Sequence, residues 1–187
     1  MNEYKMKKLV VCVSGFGSNL QAIIDACKTK MIKAEIALVV SNKKDAYGIT
    51  RAKNSGINTF VSSNIELIFS KIEEAKPDLI VLAGFMKLIP VQVVKKFENK
   101  IINIHPSLLP HFPGLNSIKR AYLKGVAETG VTVHYVDEGM DTGKIISQVK
   151  VPIKSEYTLE QLEEKIHEKE HQLYPEAICK LLNQDNP

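Results

Sequence analysis

The sequence has no block of basic residues, no apolar run long enough to span a membrane, and no cysteines at metal-ligand spacing. Its 25 lysines and arginines are spread along 187 residues and leave a formal charge of only +4. That excludes the concentrated footprint of a nucleic-acid binder, while a small anionic substrate remains welcome. Cys12, Cys27 and Cys179 lie far apart. An odd, scattered set points to free thiols in a reducing compartment, so the cytoplasm is the expected location. Polar residues 1–8 lead straight into an apolar strand without the hydrophobic stretch of a signal peptide, and no membrane partner is expected. Internal repeats, low-complexity tracts and linkers are also missing.

What is present is globular: 44% hydrophobic and 25% charged residues, in a length that suits one domain with a substantial core. Short, apolar, β-branched runs at 9–13, 36–40, 78–82 and 100–104 read as buried strands. Helix-like segments at 19–28, 46–55 and 64–75 separate them. Two further strands are expected at 130–136 and 144–151, joined by a loop over 137–143. A long helix then starts at Thr158, where Thr158-Leu159-Glu160-Gln161 fits a capping box. The βαβαβ order predicts the α/β class: a single domain over 1–187, built on an open, mostly parallel twisted sheet with helices on both faces.

Three segments carry chemistry. In Asn103-Ile104-His105-Pro106 the apolar run of Ile101 and Ile102 stops, and residues two apart on a strand point the same way. Asn103 and His105 would project together at the carboxyl edge of the sheet, a pair suited to holding a developing oxyanion. Ser14-Gly15-Phe16-Gly17-Ser18-Asn19 lies between a strand and a helix. Its glycines allow close backbone approach and the helix N-terminus favours an anion. Leu20 stands where a dinucleotide fingerprint needs a third glycine, and no Gly-Lys-Ser/Thr follows for a Walker loop. A single phosphate monoester is the expected ligand. Finally, Asp137, Glu138 and Asp141 sit in the 137–143 loop. Any of them near His105 would favour its imidazolium, and spacing does not rank them.

His167-Glu168-Lys169-Glu170-His171 matches the zinc-protease pattern, yet no third ligand follows and Leu162, Ile166 and Leu173 form a packing stripe on the same helix. No metal is expected.

Taken together, residues 14–23, Leu82-Ala83-Gly84-Phe85-Met86, residues 103–110, Val133-His134-Tyr135-Val136, Asp141-Thr142-Gly143 and Glu170-His171-Gln172-Leu173-Tyr174-Pro175 resemble, in order and over nearly the whole chain, the folate-dependent phosphoribosylglycinamide formyltransferase family. The resemblance implies a Rossmann-like formyltransferase fold and transfer of a formyl group from 10-formyltetrahydrofolate, as co-substrate, to glycinamide ribonucleotide. It implies catalytic roles for Asn103, His105 and Asp141. It implies ribonucleotide contacts at Gly17, Ser18, Asn19, His167, Glu168, Lys169 and Glu170. Folate contacts are implied at Met86, Lys87, Leu88, Ile89, Asn103, Asp137, Glu138, Gly139, Met140 and Asp141. A phosphate- and nucleotide-binding half (1–100) and a catalytic and folate-binding half (101–187) follow, with small-molecule partners only and a monomer or weak homodimer.

Two departures from the family pattern stand out. Phe16 occupies a loop position that is usually small or polar and is expected to narrow the phosphate pocket. Residues 61–75 form a shortened segment without the arginine that, in some members, reaches the folate's glutamate tail. Lys71 is the available substitute. Other formyl-folate enzymes, such as methionyl-tRNA formyltransferase and formyltetrahydrofolate hydrolase, carry an extra domain for which this length leaves no room. A non-catalytic sensor of a phosphorylated metabolite would not need Asn103, His105 and Asp141 together.

Overall fold

In the computed structural model, which describes residues 6–184, β-branched runs and amphipathic helices alternate along the chain. The order is β1 (Lys7–Val13), α1 (Ser18–Lys28), β2 (Ala34–Ser41), α2 (Tyr47–Asn54), β3 (Thr59–Val61), α3 (Ile65–Glu74), β4 (Leu79–Leu82), α4 (Val91–Lys96), β5 (Ile101–His105), α5 (Ser117–Lys124), β6 (Glu128–Tyr135), β7 (Ile145–Pro152) and α6 (Leu159–Gln184). The first residues of the polar start, 1–5, lie outside the described residues. Local chemistry sets the helix ends. The Asn64 side-chain Oδ1 accepts the Glu66 and Leu67 amides at 2.8 and 3.3 Å. Thr158 and Gln161 bond reciprocally at 2.9 and 3.2 Å, the expected capping box at the start of α6.

Three elements were not foreseen: β3, α4 and α5. All three are short, with three, six and eight residues. β3 has three half-buried residues at the sheet edge, and α4 has six residues after Pro90. α5 is bounded by left-handed residues at both ends, Asn116 (φ 55°) and Gly125 (φ 66°).

All seven strands form one sheet in the order β3-β2-β1-β4-β5-β6-β7. The pairs from β3 through β5 are parallel, and β6 and β7 are antiparallel additions. The chain runs outward from β1 through β2 to β3, then restarts on the other side of β1 at β4. The order therefore reverses between β1 and β4, which is where open α/β sheets leave a crevice at the strand carboxyl ends.

The two faces carry separate cores. One packs Leu9, Val11, Ile102, Ile104 and Val133 under α1, α2, α5 and α6; the other packs Val10, Cys12, Ile80, Leu82 and Ile101 under α3. Alternation along β5 puts Asn103 and His105 on the second face with Ile101. Beyond Ile101, loops from residues 106–116 and 137–143 reach them. Among the described residues no helix is long and apolar enough to cross a membrane. Tyr174 fastens α6 to the sheet, its hydroxyl donating to the Leu82 carbonyl at 2.8 Å and facing that of Ile102 at 3.2 Å. It is fully buried. Tyr174→Phe should therefore cost about 1 kcal/mol or more of stability in urea unfolding; an unchanged midpoint would show that the anchor is dispensable.

Candidate active site

The crevice starts at the β1–α1 turn. Gly17 adopts φ 75°, and a Cβ there would lie 2.7 Å from the Gly48 Cα, so no other residue fits without displacing α2. No side chain caps the N-terminus of α1, which leaves its first-turn amides to an outside acceptor. Ser14 is buried and joins three strand ends: its hydroxyl donates to Asn42 Oδ1 at 2.5 Å and accepts the Met86 amide at 2.7 Å. The turn after β1 is thereby fixed to the segment after β4. Phe16, expected to narrow the pocket, has its ring stacked on Tyr47 and is 67% exposed.

Asn19 connects this turn to α6. Its Nδ2 donates to Glu170 Oε2 at 3.2 Å, while its buried Oδ1 has no partner among the described residues. Glu170 lies on the buried stripe of α6 with Leu162, Ile166 and Tyr174. Burial raises its pKa to about 7, against the opposing effect of the Asn19 amide. The other residues expected in this turn are less involved. His167 and Glu168 are exposed, with Glu168 tied to Lys165, and Lys169 bonds Gln172. The buried Nε2 of His171 is also unpartnered among the described residues, and its pKa is lowered by burial and by His167 and Arg51.

At the end of β5 the expected side chains meet around one carboxylate. Asp141 Oδ2 lies 3.3 Å from His105 Nδ1 and accepts the Gly114 amide at 2.7 Å; its Oδ1 is 3.6 Å from His134 Nε2. Asn103 Nδ2 lies 3.3 Å from the same His134 nitrogen, whose ring partner Nδ1 faces the Tyr135 carbonyl at 2.8 Å. Asp141 itself has φ 57°, a left-handed conformation that turns its side chain inward from an otherwise exposed loop. The His134 ring lowers its pKa to about 2, helped by the Gly114 amide and His105 and opposed by burial.

His105 balances opposing forces. Burial lowers its pKa; the Phe112 carbonyl, 2.9 Å from Nε2, and Asp141 pull upward without reversing the sign. The expected acid is thus in place, but in the free chain it is outweighed by desolvation. His134 is the residue that sequence reasoning missed as a site member. Its signal was a polar ring in an apolar strand, and the register pairs it directly with Asn103.

The 137–143 loop and the segment 109–113 enclose a cavity of about 220 Å³, lined by Leu109, Pro113, Met140, Asp141 and Ile145 among others. Asp137 closes the loop on itself, accepting from the Gly139 amide and the Thr142 hydroxyl at 3.0 and 2.8 Å, and Glu138 pairs with Lys95 at 3.4 Å. Across from it Met86, Lys87 and Leu88 are exposed and Ile89 is half-buried against the α3-side core. Lys71, the candidate for a glutamate tail, is bonded to Glu74 at 2.5 Å.

Residues 7–178 match the formyl transferase domain. A phosphoribosylglycinamide formyltransferase of Haemophilus influenzae is 47% identical over 182 residues, covering 92% of this chain and 86% of that protein. A trifunctional purine biosynthetic protein adenosine-3 of Drosophila melanogaster is 41% identical over 194 residues, 98% of this chain, which spans only 14% of that longer protein. The crystal structure of glycinamide ribonucleotide transformylase 1 from Geobacillus kaustophilus superposes with a TM-score of 0.91 at 47% identity, covering 95% of this chain and 99% of that one.

Glu170 gives the site a pH signature. With its folded pKa at about 7 against an ordinary 4.5, the native state holds more protons than the unfolded state between those values. Stability therefore falls as pH rises through that window and levels off above it. In chemical denaturation from pH 4.5 to 8, Glu170→Gln should gain on the parent as pH rises, by up to about 3 kcal/mol. Parallel pH profiles for the two proteins would refute a buried, proton-retaining Glu170.

Proposed function

Since this chain belongs to the formyl transferase family, alongside the phosphoribosylglycinamide formyltransferases, we propose that it carries a formyl group from 10-formyltetrahydrofolate to the primary amine of N1-(5-phosphoribosyl)glycinamide. The products are the N-formyl compound and tetrahydrofolate, in de novo purine synthesis. It acts on small molecules in the cytoplasm as a monomer or weak homodimer. The observation that carries this reading is the convergence of His105 and His134 on Asp141, with Asn103 joined to them through His134, in a crevice that also holds the uncapped N-terminus of α1.

The substrate phosphate binds the amides of Gly17, Ser18 and Asn19, where the partial positive charge of α1 favours it. Glu170 takes the ribose hydroxyls or the amine, and the unpartnered Asn19 Oδ1 beside it accepts a further hydrogen bond. His167, Glu168 and Lys169 border this end. The folate, which supplies the activated formyl group, fits the exposed Met86, Lys87 and Leu88 with the half-buried Ile89, and the cavity lined by Met140 and Asp141, with Asp137, Glu138 and Gly139 in the same loop. Residues 1–100 thus chiefly hold the nucleotide and 101–187 the chemistry.

As the amine adds to the formyl carbon, negative charge gathers on the formyl oxygen. Asn103 Nδ2 and His105 Nε2 donate to it. In the free chain His105 Nε2 faces the Phe112 carbonyl, so that contact is exchanged for the oxyanion. The ionised Asp141 at Nδ1, with the developing oxyanion at Nε2, places an anion at each end of the ring. The imidazolium that burial disfavours in the free site becomes favourable during the reaction. Asp141, through water, helps carry the amine's proton to the departing folate nitrogen. Alignment of the two substrates by the two halves of the crevice contributes the rest of the acceleration.

Mixing the protein with glycinamide ribonucleotide and 10-formyltetrahydrofolate and following absorbance tests the proposal. His105→Ala and Asn103→Ala should each lower kcat by roughly 10²–10³ with smaller changes in either KM. Unchanged turnover in His105→Ala would overturn the assignment of the oxyanion site.

A further inference from the structure

The phosphate loop is held from one side by a structure that the catalytic reading does not use. The Phe16 and Tyr47 rings stack with centroids 5.3 Å apart and an interplanar angle of 13°. The Arg51 guanidinium lies over both, 4.4 Å from the Phe16 centroid and 5.0 Å from that of Tyr47. Arg51 Nε donates to the Phe16 carbonyl at 2.9 Å, and Nη1 donates to Gln21 Oε1 at 3.2 Å. One side chain therefore ties the middle of the loop to the first turns of α1. The start of α2 adds two backbone restraints: the Gly48 amide donates to the Gly15 carbonyl at 3.0 Å, and Gly17 packs against the Gly48 Cα. An arginine's planar fork makes two directed bonds while stacking on rings, which a lysine cannot reproduce.

We infer that Arg51, clamped by the rings of Phe16 and Tyr47, is a positioning residue for the substrate phosphate. It holds the Gly15-Phe16-Gly17 backbone in the one shape that lets the amides of Gly17 and Ser18 converge on an anion. A cradle of backbone amides binds well only if it is preorganised, because otherwise binding must order the loop. The inference rests on the phosphate role proposed for this loop. The loop lies at the carboxyl end of β1, whereas the oxyanion donors sit on β5, with β4 between them. Loosening the brace should weaken capture of the phosphate and leave the chemical step alone.

The test compares glycinamide ribonucleotide with its phosphate-free riboside as formyl acceptors. In Arg51→Met and Arg51→Lys, KM for the ribonucleotide should rise roughly tenfold, the loss of about one hydrogen bond. kcat should stay within about twofold, and KM for the riboside and the formyl-folate should not move. Tyr47→Ala should reproduce this pattern, and Tyr47→Phe, which keeps the ring, should restore parental values. Amide hydrogen exchange at residues 15–18 should quicken in Arg51→Met while exchange in β5 is unaltered. Equal losses on the two acceptors, a fall in kcat alone, parental kinetics in Arg51→Lys, or unchanged exchange at residues 15–18 would each overturn the inference. A parent that turns over neither acceptor would instead count against the proposed reaction, and the exchange measurement would still decide the brace.

Discussion

One carboxylate organises the side chains at the carboxyl end of β5. Asp141 lies within 3.3 to 3.6 Å of two histidines from different strands and takes the amide of Gly114 from a third segment. Without it, His105 and His134 would be buried rings facing no anion, and the 137–143 loop would lose its bonds to Gly114 and to the two rings. Its left-handed backbone is the local cost of this geometry, of order 1 kcal/mol, offset by charge-assisted bonds that a relaxed loop could not make.

The site exists where it does because of strand order. Reversal of direction between β1 and β4 prevents any crossover segment from covering their carboxyl ends. Ser14 bridges the loops on either side of that point, so the turn before α1 and the segment after β4 are hydrogen-bonded together. Antiparallel addition of β6 beside β5 then brings His134 opposite Asn103, something a continued parallel order would not have done.

Burial raises the pKa of both carboxylates in the crevice, and their partners decide whether the rise survives. Asp141 is held ionised by its neighbours, with a pKa of about 2, while Glu170, with only an amide for support, is raised to about 7. His105 lies between an anion that favours its charged form and a desolvated setting that penalises it. In the proposed reaction this tension has a use. The imidazolium becomes favourable only when a second negative charge develops beside it, so stabilisation is concentrated in the transition state.

Period-two alternation made the Asn103 and His105 pairing legible from the chain alone, since backbone geometry puts residues two apart on one side of a strand. The long strands, the capping box at Thr158 and the glycine turn before α1 were equally plain, because each depends on residues close in sequence. The short elements β3, α4 and α5 were not. Which acid of the 137–143 loop enters the site, the recruitment of His134, and the Arg51 stack beside Phe16 were settled by the fold. They depend on strand register, a left-handed turn and the approach of α2 to α1, contacts between residues tens of positions apart that no local pattern encodes. The same holds for the charge of His105: the sequence supplied an acid nearby, but the depth of burial, which only the packed sheet defines, set the direction of its shift.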